Sequence, residues 1–228
     1  MNRSTLFLIC ILLITTISCG RNGKSRLHIN TSNLYPEQIT VKQYGKALFE
    51  ADLTVLETEL RRLQADFIHF LDADLSDTAN IKQIYDFVSD TSLIMLYHKS
   101  REVYPDIQPL ENELTHAFRR FHYHFPKKMI PDIYTYISGV QYEMPVMFAD
   151  NIAVIAIDCY LGEEYNYYKM LGIPGYIRAR MTSDHLVNDL FKTLFMMLLD
   201  QSKPSLSVLD EMIMSGKRLY FQEAMQPQ

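Results

Sequence analysis

His122-Tyr123-His124 sets two imidazoles two residues apart, the spacing at which strand side chains share one side and can share a metal ion. The residues before them, Ile107, Leu110, Leu114, Phe118 and Phe121, recur at helical intervals. On a helix, positions i and i+2 diverge, so the pair reads as a polar rim and not as a metal centre. His185 follows Asp184 at a helix start and reads as part of a cap. A denser cluster lies in the middle of the chain, where Asp158, Glu163 and Glu164 are interleaved with Tyr160, Tyr165, Tyr167 and Tyr168. Such a patch suits a saccharide or a peptide, because tyrosine joins contact area to a hydrogen-bonding tip. It equally suits a loop packed over a sheet, and both readings stand. Cys159 sits in an apolar stretch without a surrounding motif and reads as a small buried residue, not a nucleophile. No Gly-x-Ser-x-Gly turn, phosphate-binding loop or dinucleotide fingerprint occurs. The expectation is no catalytic group, no metal and no cofactor.

The elements that position these residues follow from periodicity. Ile39 and Val41 begin a short extended segment running to about Gly45. Thr54 with Glu57 forms a capping-box pattern ahead of Leu56, Leu60, Leu63, Phe67 and Phe70, which lie on one helical face. Asp77-Thr78 starts a second helix with Ile81, Ile84, Tyr85 and Val88, and Asp90 or Thr91 starts a third through Leu93, Leu96 and Tyr97. The fourth carries the Ile107–Phe121 stripe and ends before Pro126 and Pro131. Beyond Pro131 the period becomes two. Ile133, Thr135 and Ile137 alternate with Tyr134, Tyr136 and Ser138, and two further runs, Val146–Phe148 and Ile152–Ile157, are joined by a turn at Asp150-Asn151. After Gly172–Gly175, Ser183-Asp184 opens a long helix with the wide stripe Leu186, Val187, Leu190, Phe191, Leu194, Phe195, Leu198 and Leu199. Ser207 with Asp210 opens the last helix, through Met212, Ile213 and Leu219. Helices at both ends and strands between them predict an α+β fold, mostly helical, in one domain with a small antiparallel sheet in the middle.

The first residues read as an export signal. Arg3 precedes nine apolar residues, Leu6–Ile14, too few for the roughly 20 that cross a bilayer. Ser18 before Cys19 is the arrangement of a bacterial lipoprotein signal, in which Cys19 is acylated and becomes the mature N-terminus. Thr16 departs from the leucine usual three positions before that cysteine. The expected divisions are a signal over 1–18, a flexible tether over 19–36 and a folded domain over 37–228. Removing Arg3 with the signal moves the net charge from −5 to −6. That balance argues against a nucleic-acid partner. With Cys10 cleaved away and Cys19 lipidated, the body keeps Cys159 alone and has no disulfide.

Ala156-Ile157-Asp158-Cys159-Tyr160-Leu161-Gly162, the stretch Tyr168–Ile177 containing Leu171-Gly172-Ile173-Pro174-Gly175, and Arg180-Met181 resemble the central signature of the gliding motility-associated lipoprotein GldB family. Leu209-Asp210-Glu211-Met212-Ile213, the run Gly216–Phe221 and Phe125-Pro126 extend the resemblance over roughly residues 38–225. It implies a lipid-anchored cell-envelope protein that serves gliding and the associated type IX secretion apparatus through contacts with other machinery proteins, and it implies no reaction. The resemblance also implies that members continue beyond Gln228, so the expectation is a truncated or shortened member missing a C-terminal packing layer or a partner surface. The last two helices also resemble, in layout, the ligand-bearing pair of membrane-linked zinc peptidases, a degenerate version of that fold. Val187-Asn188-Asp189-Leu190-Phe191 contains no histidine pair and Ser215 precedes Gly216, so that ligand set is missing.

The leading expectation is therefore a non-enzymatic lipoprotein tethered through Cys19. Gly20-Arg21 lacks the acidic run of surface-exported lipoproteins, which favours a periplasm-facing position. The alternatives are an envelope hydrolase using Asp158, Glu163 and His185, or a peptide- or saccharide-binding module using Tyr165, Tyr167 and Tyr168.

Overall fold

The computed structural model describes Leu27, residues 29–199 and residues 207–227. The expected signal, Cys19 and most of the expected tether lie outside the described residues. The chain runs β1 (Val41–Gln43), α1 (Tyr44–Phe49), α2 (Leu56–Gln64), α3 (Thr78–Ser89), α4 (Thr91–Val103) and α5 (Gln108–His124). After these come β2 (Asp132–Tyr136), β3 (Val146–Ala149) and β4 (Ile152–Ala156), then α6 (Asn166–Met170), α7 (Gly175–Arg178), α8 (Ser183–Leu198) and α9 (Val208–Met225).

Side-chain caps start α3, α4 and α9. Asp77 accepts from the Ala79 amide, Asp90 from those of Ser92 and Leu93, and Ser207 from that of Asp210. At α2 the cap differs from the expected box. Asp52 accepts from the Thr54 amide and hydroxyl to close a short 3-10 turn, while Glu57 turns outward to pair with Arg61. This helix also stops at Gln64, although the apolar spacing continues. Beyond it the chain folds back in turns, with the Gln64 amide donating to the Leu71 carbonyl at 2.6 Å, and Phe67, Leu71 and Leu75 stay buried. The spacing recorded burial there, not helix. Around α8 the cap is Thr182, whose hydroxyl lies 2.9 Å from His185 Nδ1.

The α+β class is as expected, but the strands pair differently. The order is β1-β2-β4-β3, in which β1 and β4 both run parallel to β2 and only β3 is antiparallel to β4. The Asp150-Asn151 hairpin forms as predicted, with Asp150 at φ 48°. Parallel strands demand cover on both faces, and β4 has it, since all five of its residues are buried. One face, with Val41, Ile133, Ala153 and Ile155, meets Leu96, Leu114, Phe118, Leu186, Leu190 and Phe191 of α4, α5 and α8. The other, with Tyr134, Ile152 and Val154, meets Leu48, Leu60, Leu63, Phe67 and Val88. Each such buried Leu or Phe contributes about 2 kcal/mol of transfer free energy. Gly45 lets α1 ride on the end of β2, since a Cβ there would lie 3.2 Å from the Ile137 nitrogen and the Tyr136 Cα.

Candidate functional site

Parallel β2 and β4 are neighbours although β3 comes between them in sequence. After β2 the segment 137–145 must therefore pass over the end of β4 and reach β3 two strand spacings away, about 10 Å. Gly139 at φ 76° and Val140 at φ 66° make the bend. A valine in that region costs roughly 1–2 kcal/mol, so something must hold it there.

Asp158 does so. It sits in the 3-10 turn Ile157–Cys159 directly after β4, fully buried beneath the crossing segment. Its Oδ1 accepts the Ser138 amide at 2.9 Å and its Oδ2 the Val140 amide at 2.7 Å, while the Ser138 hydroxyl donates to the carboxylate at 3.0 Å. The same hydroxyl oxygen accepts from the Gln141 amide at 2.9 Å. Burial raises the carboxyl above its ordinary range, opposed by the Ser138 and Val140 donors. Cys159 is buried alongside, its sulfur 3.9 Å from the Ser138 hydroxyl, and burial pushes its thiol well above the usual value.

The two neighbouring tyrosines are equally engaged. Tyr168 donates to the Asp158 carbonyl at 2.6 Å and accepts from the Leu161 amide at 3.0 Å, closing the segment that leads to α6. The Tyr160 hydroxyl lies 3.3 Å from Asp189 Oδ2, Asp189 pairs with Arg180 at 2.6 Å, and Tyr104 donates to the Tyr160 carbonyl at 2.9 Å. Burial drives the Tyr160 and Tyr168 hydroxyls far above the usual phenol range.

The seven residues of the predicted patch thus divide by burial. Asp158, Tyr160 and Tyr168 are interior, and Tyr165 and Tyr167 are half-buried with ring centroids 6.3 Å apart. Glu163 and Glu164 are exposed, Glu164 pairing with Lys169. His122 packs edge-on to Tyr35, whereas Tyr123 and His124 face outward, so the two imidazoles do not converge. In the stretch compared with the His-Glu-x-x-His motif, Val187 and Phe191 stand at the two histidine positions and are buried, while Asn188 and Asp189 accept from Gln222 and Arg180. Among the described residues no group of three His, Cys, Asp or Glu side chains could hold a metal ion.

Among the described residues, clefts open elsewhere. An apolar one of about 280 Å³ is walled by Tyr44, Leu48, Phe49, Ile84, Phe87 and Tyr136, whose hydroxyl is sealed from solvent and has no hydrogen-bond partner in the structure. A wider groove of about 650 Å³ runs between the starts of α2 and α3, past Thr54, Thr58, Lys82 and Tyr85. Neither includes Asp158, Glu163 or His185. What sequence reading missed is the partnership of Asp158 with Ser138 and Val140. The one available signal was a Ser-Gly pair directly after a strand.

Against this geometry, the family model described as gliding motility protein GldB matches residues 24–228. The chain belongs to the GldB family. No curated protein and no solved structure gives a match. A gliding-motility role and a lipoprotein family follow from that membership, and no described helix is long and apolar enough to cross a membrane.

Proposed function

We propose that this GldB-family protein is a non-enzymatic envelope component, anchored by lipid on Cys19 and facing the periplasm, that serves gliding and the associated type IX secretion through protein contacts. The observation that carries the reading is the fate of the central motif. Its carboxylate accepts from two amides and a hydroxyl, its thiol is sealed, and its tyrosines hydrogen-bond to backbone or to Asp189. The side chains expected to do chemistry support the fold instead, and His185 is spent at the start of α8. Of the predicted patch, Glu163, Glu164 and the edges of Tyr165 and Tyr167 stay available to a partner.

The deciding experiment is cross-linked co-purification of the tagged full chain from envelope membranes, with Cys19→Ala as control. Recovery of motility or secretion components that is lost in the control supports a tethered machine part. Recovery of the chain alone would count against it and return the hydrolase and ligand-binding alternatives to the front.

A further inference from the structure

Strands β1, β2 and β4 run parallel, so the segments that lead into them lie at one end of the sheet. Residues 36–40 enter β1 there, residues 125–131 enter β2, and the Asp150-Asn151 turn enters β4, with the Asp132 amide donating to the Asn151 carbonyl at 2.9 Å. Cations gather at this end. From Leu114 to Pro131 the chain carries Arg119, Arg120, Lys127 and Lys128 and no carboxylate, although its net charge is −5. Lys127 and Lys128 lie beyond α5, on a turn that the Lys128 amide closes by donating to the Phe125 carbonyl at 3.0 Å. Phe125 stacks on Phe121 and packs on Phe221, and Pro131 is buried, so both feet of the turn are fixed to the core. No ion pair among the described residues involves Lys127 or Lys128. The entering segments bring three acids, Glu37, Asp132 and Asp150, of which Asp132 is paired with Lys42 at 3.2 Å. The balance of these named groups is positive.

Large apolar side chains stand among these cations and face outward. Tyr123 in the last turn of α5 is 55% exposed, Met129 beyond the lysines 73%, and Tyr35 ahead of β1 61%. Tyrosine beside lysine suits a membrane–water boundary, where the ring sits at headgroup level and the cation meets phosphate. The chain that leads back to Cys19 leaves from the same place. Tyr35 packs edge-on to His122 of α5, and Arg119 donates to the Pro36 carbonyl at 2.8 Å and to the Glu37 carbonyl. Cys19 stands eight residues before Leu27, which packs against the core, so the two lie within about 30 Å of each other.

We propose that this end of the sheet rests on a bilayer containing anionic phospholipid, with Lys127 and Lys128 against the phosphates and Tyr123 and Met129 at headgroup level. The inference deepens the lipid-anchor reading and rests on it for the choice of occupant, because the anchored segment brings a bilayer to this end and not an acidic protein. Acyl chains on Cys19 supply attachment, and the basic turn supplies orientation. Each basic residue within a Debye length of such a surface, about 10 Å, strengthens the contact about fivefold. The opposite end, with the Asp158 turn, Glu163, Glu164 and α6, then faces away from the bilayer and is open to a partner.

The test places a fluorophore on Met129→Cys in the full chain, purified from envelope membranes and reconstituted in vesicles that carry a headgroup-nitroxide lipid as quencher. Met170→Cys, on α6 at the opposite end and 80% exposed as methionine, is the reference, and the unsubstituted chain, whose Cys159 is buried, gives the background. The vesicles are phosphatidylcholine alone or an equal mixture with phosphatidylglycerol. In the mixture, quenching at 129 should exceed that at 170 about fivefold. It should drop to the level at 170 in phosphatidylcholine, in Lys127→Glu/Lys128→Glu, and in about 1 M salt, where the Debye length is about 3 Å. Both lysines are exposed, so helical circular dichroism should not change in the double variant. Flotation reads the anchor separately. A chain that floats with phosphatidylcholine vesicles is anchored, and one that floats only with the mixture lacks the anchor and keeps the proposed face. The proposal is overturned by equal quenching at 129 and 170, by quenching at 129 that headgroup charge or charge reversal leaves unchanged, or by a chain that floats with neither vesicle.

Discussion

At the scale of single residues, Asp158 carries the most weight, because removing it leaves the buried Val140 amide and the half-buried Ser138 amide and hydroxyl without their acceptor. Asp158→Ala should cost about 3 kcal/mol in urea unfolding, the penalty of buried donors left without partners. Asp158→Asn should cost about 2 kcal/mol, since its amide nitrogen must face the Ser138 or the Val140 N–H. A loss under 1 kcal/mol for either would mean that the crossing loop is held by other contacts. Glu113 tests the sign of a pH effect. Burial first, then the nearby Asp184, raise its carboxyl above the ordinary range, while the Gln226 amide, donating at 2.6 Å, lowers it. With the folded value above the unfolded one, its stabilising share is full below the ordinary glutamate range and is lost as pH rises through the folded value. Glu113→Gln should therefore be near neutral at low pH and stabilising at neutral pH, and a destabilised variant at pH 7 would refute that account. Sequence could nominate Asp158 as notable, but its partner segment lies about twenty residues upstream. Only the strand order brings the two together.

At the scale of elements, apolar spacing made α3, α4, α5, α8, α9 and the β3–β4 hairpin legible, and Asp77, Asp90 and Ser207 also mark the starts of α3, α4 and α9. Strand direction was not legible. Alternation in β2 tells which side chains share a face and nothing about which strand lies beside them, and β1, three residues long, offers too little pattern to place. The run Ile152–Ala156 did contain a clue, since an unbroken apolar strand fits burial on both faces better than an edge hairpin. Two elements yield predictions. Asp150 holds the hairpin turn at φ 48°, so Asp150→Ile should destabilise by roughly 1–2 kcal/mol in thermal unfolding, and a neutral result would place the turn in another conformation. Phe221 fastens α9 to α5 and α8 through four rings. Phe221→Ala should cost about 3 kcal/mol and release the helix to proteolysis. Uniform protection of α9 in that variant would show that Met225 and Gln222 suffice to dock it.

At the scale of the whole molecule, the two apolar clusters cannot come apart separately, because β4 belongs to both. Ala153 and Ile155 point into one, Ile152 and Val154 into the other, and β2 divides its side chains in the same way. The burial of a central strand from both sides couples helices α2 and α3 to α5 and α8 across the sheet, so unfolding should occur as one transition. Cys159 reports on this directly. It is the third residue after β4, is buried, and its thiol is pushed further toward the neutral form by burial and the adjacent Asp158. In a chain with Cys10→Ser and Cys19→Ser it is the single thiol, and native labelling by a disulfide reagent requires an opening event. Labelling should run at least about 10³-fold slower than in urea-unfolded chain, and its rate should rise with urea as steeply as global unfolding does. Fast, urea-independent labelling would show instead that the turn Ile157–Cys159 opens alone. The crossing loop would then be a mobile cover over the sheet end, and the enclosed Asp158 would regain standing as a reactive group.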